Sequence, residues 1–391
     1  MTGRERFLAV FRGKIPDRVP VTLFIQDQGH FIAKLHPDLD QWDHLAVQKR
    51  VVDFQREMGC DVFVRVLFGI NDPLSIHFGG LNTAIETDSW RVRKQVIQRD
   101  GTRVEHAEIE TPEGTLTQEF SINEVKPGTY LYCCTQKPIR TMRDLEIAEK
   151  YEPGMPEEWP EKVRAHVAEI KDYVGNDGIV GSWTPHGPFN NASLLYPQDE
   201  LYMLFRTDPP FYERLMRFAM KRILDYTAAI DAAGVDVHCV GGNVPGGFLG
   251  KANYDKYILP FEKEYIAFVQ RNGTPAMYHN CGQIMNLVDS YKELGARIVE
   301  PFSPPPLGDC ADLAAAKRQV DGAYVMLSGI DQVNVLEKGP PDEVRKATQK
   351  AILDGKPGGG FILQPVDFLE YDTPLENIRA YVETALAFAD Y

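Results

Sequence analysis

The sequence predicts an α/β protein: a single (β/α)8 TIM barrel with an antiparallel β insertion after its second strand. Three observations predict it. Eight short apolar segments recur along the chain, each followed by a segment with helical spacing. The apolar segments are continuous rather than alternating, the pattern of strands buried on both faces of a parallel sheet. No G-x-G-x-x-G follows the first strand and no P-loop occurs, which disfavours the doubly wound alternative.

The segments follow in order. "RVPVTLF" (18–24) is the expected first strand, and "CDVFVRVLFG" (60–69) the second, after the helical "HLAVQKRVVDFQREMG". The rhythm then breaks. Over about 88–135 polar and apolar residues alternate around the turn pairs Asp100-Gly101 and Glu113-Gly114, which reads as antiparallel hairpins. The β/α rhythm resumes at "GIVGSW" (178–183) and continues through "VDVHCVGG" (235–242), "TPAMYHNC" (274–281), "ARIVEPF" (296–302), "AYVMLSGID" (323–331) and "GGFILQPVD" (359–367). The whole chain, 1–391, is expected to be one domain.

Composition is that of an ordinary globular chain, and 391 residues suffice for a large core. The net charge of −14 speaks against nucleic acid or an anionic membrane as the main partner, because both select basic surfaces. No apolar run reaches the eighteen or so residues of a membrane span. The first eighteen residues carry charge throughout, unlike a signal peptide. The six cysteines form no C-x-x-C pair, so reduced thiols and a cytoplasmic location are expected.

Barrel enzymes place their chemistry at the carboxyl ends of the strands. Those ends carry Gln26, Asp27, Gln28 and His30; Trp183 and His186; Gly241, Gly242 and Asn243; His279 and Cys281; Glu300; Asp331; and Asp367. His279 and Cys281 stand two apart, so on a strand they share a face. Imidazole nitrogen beside thiolate sulfur suits zinc. Zinc takes three or four protein ligands, and Asp367, Glu300 and Cys310 are the candidates to complete the set. Asn243 follows paired glycines, which let a ligand approach the backbone. Gln26, Asp27, His186 and Asn243 are expected to line the substrate cavity beside His279. Tyr278 points to the opposite face and is expected to pack in the core.

The chain resembles the uroporphyrinogen decarboxylase superfamily. The likeness rests on "RERFLAVFRGKIPDRVPV", "HGPFNNASLL", "ILPFEKEYI", "HNCG", "LSGIDQVNVLEKGPPDEV" and "DTPLENI", and runs across nearly the whole length. Decarboxylases of this group hold substrate carboxylates with arginines after the first strand, where this chain reads "FIQDQGHFI". The methylcobalamin-dependent methyltransferases carry H-x-C and a later cysteine as zinc ligands. His279 and Cys281 match the first two, and Asp367 falls at the third when the chains are aligned on "TPLEN". The resemblance implies a zinc-dependent methyltransferase of a corrinoid pathway. Its methyl donor or acceptor would be a small methoxy or thiol compound, and a corrinoid-binding partner protein would present the cobalamin. The alternatives are a decarboxylase acting on a smaller or less charged substrate, and a non-catalytic corrinoid or tetrapyrrole binder.

Overall fold

The computed structural model describes residues 1–26, 30–67, 80–127, 129–244 and 246–391. Among them seven strands form one curled parallel sheet: β1 (Val62–Val66), β6 (Gly178–Trp183), β7 (Val237–Gly241), β8 (Ala276–His279), β9 (Ile298–Glu300), β10 (Val325–Ser328) and β11 (Phe361–Leu363), adjacent in that order. Each expected strand from the second to the eighth contains one of them. Parallel neighbours need crossovers, and helices supply these. Local chemistry marks the helix ends: Asp43 caps His44–Met58 by accepting from the Ala46 amide, and Gly59 closes that helix at φ 78°. Asp208 caps Pro209–Ala232 in the same way, ahead of two prolines whose missing amides cost nothing in a first turn.

The expected first strand, 18–24, is not a regular strand. It makes one parallel bridge, Val21 to Leu363 of β11, where the Thr22 amide donates to Leu363 (3.0 Å) and the Leu363 amide to Pro20 (3.0 Å). Towards β1 it makes one backbone bond, from the Asp61 amide to the Val21 carbonyl (2.8 Å). Pro20 has no N–H to give a ladder. The Gln55 side chain takes the ladder's place: its Oε1 accepts from Thr22 Oγ1 (2.9 Å) and the Phe63 amide (3.2 Å), and its Nε2 donates to the Phe63 carbonyl (3.2 Å).

The insertion is a separate antiparallel sheet, β2 (Arg91–Arg99), β3 (Thr102–Thr111), β4 (Gly114–Lys126) and β5 (Thr129–Gln136). Asp100 and Gly101 both have positive φ, as a two-residue hairpin of the expected kind requires. The second turn is one residue earlier than expected: Thr111 pairs with Gly114, so Pro112 and Glu113 form the loop. Trp90, Ile109 and Leu116 tie this sheet to the main core.

Two apolar clusters divide the interior. The larger lies between strands and helices. The smaller fills the inside of the curled sheet with Phe63, Ile179, Val237, Met277, Ile298, Val325 and Ile362, and Phe7, Val10 and Phe11 of the helix Gly3–Phe11 pack onto it. Full burial of such a side chain contributes roughly 1.5–3 kcal/mol. Side chains alternate along a strand. The residues two further on from Phe63, Met277, Ile298 and Ile362 therefore face inward above this layer: Arg65, His279, Glu300 and Gln364. No helix among the described residues is long and apolar enough to cross a membrane.

Candidate metal centre

That second layer is polar because its members satisfy one another. His279 and Glu300 are register partners on β8 and β9, and His279 Nδ1 lies 3.0 Å from Glu300 Oε1. Arg65 reaches the same carboxylate from β1, with Nη1 donating to Oε1 (2.6 Å) and Nη2 to Oε2 (2.7 Å). Nη2 also donates to Gln364 Oε1 (2.9 Å). The guanidinium lies over the Phe24 ring at 3.8 Å and the Phe63 ring at 4.8 Å. Arg65 and Glu300 are 4% and 1% exposed, so the pair is fully withdrawn from water.

Burial alone would raise the Glu300 carboxyl. The Arg65 charge and the His279 bond outweigh it and hold the group down at about 2. Burial likewise opposes charge on His279, but its bonds to Cys281 and Glu300 hold the imidazole up at about 10. An ionised Glu300 accepts the proton on Nδ1. Without a metal both ring nitrogens carry protons; a metal would take the place of the Nε2 proton while Glu300 keeps the one on Nδ1, the arrangement by which carboxylates orient metal-binding histidines.

Donor atoms of His279, Cys281 and Asp367 all lie within 4.8 Å of one another. β8 ends at His279, so Cys281 stands in the loop beyond it and is exposed, where the sequence placed both residues on one strand. The ladder runs on for one residue through the Asn280 amide, which donates to the Glu300 carbonyl (2.8 Å). Asp367 follows β11; its Oδ1 accepts from the Phe368 amide (2.8 Å), and burial raises its carboxyl above the usual range. Nitrogen, thiolate and carboxylate in tetrahedral contact with zinc sit ~3.5 Å apart. The three donors fit that ion after small adjustments, and all three are accepted zinc ligands. Glu300 stands outside the group, engaged with His279 and Arg65. Cys310 also stands outside it, with burial raising its thiol to about 11.

His186 and Asn243 come together over Gly241, the register partner of His279. A Cβ at Gly241 would lie 2.9 Å from His186 Nδ1 and 3.7 Å from Asn243 Nδ2, so glycine is required there. Both residues have left-handed backbones, φ 65° and 49°. Burial pushes the His186 imidazole down to about 4, and the charge on His279 pushes the same way. Trp183 stands edge-on to the His279 ring at 5.7 Å. Gln26 is partly buried, two residues beyond the Phe24 ring that covers Arg65. Asp27, Gln28 and the His30 side chain lie outside the described residues. Asp331 is a cap: its Oδ1 accepts from the Val333 and Asn334 amides (2.8 and 2.7 Å).

Sequence reasoning did not single out Arg65, Gln364 or Glu262. The signal for Arg65 was present: one charge in the apolar run "VFVRVLF" must find a partner once that run is a buried strand. Glu262 is fully buried behind the His186 loop, where its Oε1 accepts from the Phe189 amide (2.9 Å) and its Oε2 leaves no room for a Cβ at Gly187. Burial raises its carboxyl to about 8, so the folded chain keeps this proton at neutral pH. The unfolded chain loses it at an ordinary carboxyl pH, so this group destabilises the fold progressively between about pH 4.5 and 8. Glu262→Gln is therefore expected to be more stable than wild type by a few kcal/mol at pH 8 and indistinguishable at pH 4. Denaturant unfolding at the two pH values reads the difference; an equal gain at both would show that the carboxyl is ionised in the fold.

The carboxyl ends of a parallel sheet, where these donor groups gather, are where α/β barrel enzymes keep their active sites. The uroporphyrinogen decarboxylase (URO-D) family model matches residues 125–388, and the chain belongs to that family. Over 98% of its length it is 22% identical to a methylcobamide:CoM methyltransferase (MtbA) of Methanosarcina acetivorans, covering 97% of that protein. Over 57% of its length it is 24% identical to a methylated-thiol–coenzyme M methyltransferase of Methanosarcina mazei, covering 60% of that protein. The solved structure of a methyltransferase from Methanosarcina mazei superposes with a TM-score of 0.71 at 17% identity, covering 99% of both chains. The curated relatives are methyltransferases, and the chain is a methyltransferase of this family.

Proposed function

We propose that the protein is a zinc-dependent methyltransferase of a corrinoid pathway. It moves a methyl group between a small methoxy or thiol compound and a cobalamin presented by a partner protein. The observation that carries this reading is the convergence of His279, Cys281 and Asp367 donors, with His279 already oriented by Glu300. His279 Nε2, Cys281 Sγ and the free Asp367 oxygen would hold the metal. Zinc supplies Lewis acidity to the heteroatom that carries or receives the methyl group. Glu300 holds the proton of His279 Nδ1 in place. His186, uncharged at neutral pH, and Asn243 offer polar contacts to the small substrate, and Gln26 and Asp27 are proposed to add to them. Cys281 is exposed, and a protein-borne corrinoid would approach from its side.

In this proposal 18–24 takes the first of the eight strand positions, closing the sheet between β11 and β1, and all 391 residues form one cytoplasmic unit. A decarboxylase for a polyanion is disfavoured by Arg65, whose two Nη groups are both taken within the protein.

A carboxylate in place of a second thiolate leaves zinc a stronger Lewis acid, which favours activation of an ether oxygen over a thiol. Asp367→Cys is therefore expected to lower methyl transfer from 2-methoxyphenol to cob(I)alamin about tenfold. It should raise demethylation of methylcob(III)alamin by 2-mercaptoethanesulfonate at the same time. Both reactions are read as the change in corrinoid absorbance. An unchanged ratio of the two rates would contradict the assignment of Asp367 as a ligand.

A further inference from the structure

We propose that Arg65 is a positioning residue that keeps Glu300 on His279 and off the metal, so that one coordination position remains for substrate. The inference rests on the zinc reading above and adds a role for a residue on the opposite wall of the sheet.

Glu300 would otherwise be a competing ligand. It is a carboxylate 1% exposed, bonded through Nδ1 to a proposed metal ligand. Both of its oxygens are committed: Oε1 to Arg65 Nη1 and His279 Nδ1, Oε2 to Arg65 Nη2. The two-pronged contact fixes the carboxylate plane as well as its position. The guanidinium is itself fixed, between the Phe24 and Phe63 rings and against Gln364. Strands β1 and β9 are separated by three strands in the sheet, so this bond spans the interior. Charge points the same way. A Cys281 thiolate, Asp367 and Glu300 carry three negative charges, which the zinc dication and Arg65 together balance. Without Arg65 the surplus is relieved by moving the Glu300 carboxylate onto the metal, which fills the open position.

The test uses the full chain loaded with Co(II), whose visible spectrum reports ligands at the metal, and azide as the incoming ligand. Wild type should change its Co(II) spectrum on azide addition. Arg65→Met, which keeps an apolar side chain between the two rings, should bind azide at least about tenfold more weakly. Arg65→Met with Glu300→Gln should recover azide binding, because the competing carboxylate is gone. Arg65→Lys keeps the charge without the fork and should fall between wild type and Arg65→Met; it carries the test if Arg65→Met does not fold. Azide binding by the single variants within twofold of wild type overturns the proposal. So does a double variant that stays as weak as Arg65→Met, since Arg65 would then act through the fold alone. Wild type that takes up no Co(II) or zinc fails the zinc reading itself. Wild type that binds metal while the Arg65 variants match it fails only this inference.

Discussion

Cys281→Ser should abolish methyl transfer and release zinc while leaving the fold intact. Serine keeps the shape, but its hydroxyl stays protonated near neutral pH, so the soft anionic donor is lost. Of the three donors Cys281 is the exposed one, in a loop beyond the end of β8, and it belongs to neither apolar cluster. Substitutions at such positions usually change stability by less than about 0.5 kcal/mol. Zinc content after dialysis should fall, transfer between methylcob(III)alamin and either acceptor class should stop, and the thermal midpoint should hold. Full activity in this variant would remove Cys281 from the metal. Loss of activity together with loss of fold would mean that the loop is structural.

Glu300→Ala should damage both stability and the metal site. It strands the Arg65 guanidinium between two phenyl rings, with Gln364 as its remaining side-chain acceptor among the described residues. Breaking a buried pair from one side costs about 3–5 kcal/mol, because the remaining charge is uncompensated. It also takes away the acceptor of His279 Nδ1, and loss of such a partner lowers metal affinity about 10–100-fold. The two effects separate in a second variant. Arg65→Met with Glu300→Leu removes both charges and should regain most of the stability. It should not regain zinc affinity, since His279 is still without its partner. Denaturant unfolding of the metal-free proteins and competitive zinc titration measure the two quantities. A double variant that recovers zinc affinity would show that Glu300 does not orient His279.

The seven regular strands of the parallel sheet were legible because burial on both faces writes a continuous apolar run, and little else writes one. The first expected strand looked the same in sequence. Its pairing failed locally because Pro20 cannot donate, and a side chain 33 residues away, Gln55, meets Thr22 in place of a ladder bond. The period-two argument brought His279 and Cys281 together, although the strand stops at His279 and a loop places the thiol. Asp367 was one of three candidate donors at the strand ends, and the resemblance to the H-x-C methyltransferases put it first. Glu300 was visible as a carboxylate at a strand end, but its role was not. That role depends on Arg65, 235 residues earlier, and only the curl of the sheet brings the two within a hydrogen bond. Glu262 had no local signal at all: its burial comes from helix packing behind the His186 loop.

The central claim is that His279, Cys281 and Asp367 hold a zinc ion on which methyl transfer depends. Metal analysis of the purified chain, coupled to a methylcob(III)alamin demethylation assay before and after exhaustive chelation, tests it most directly. The account predicts about one zinc per chain, loss of activity on chelation, and recovery when zinc is added back. Metal-free protein that demethylates methylcob(III)alamin at the rate of the untreated protein would contradict it.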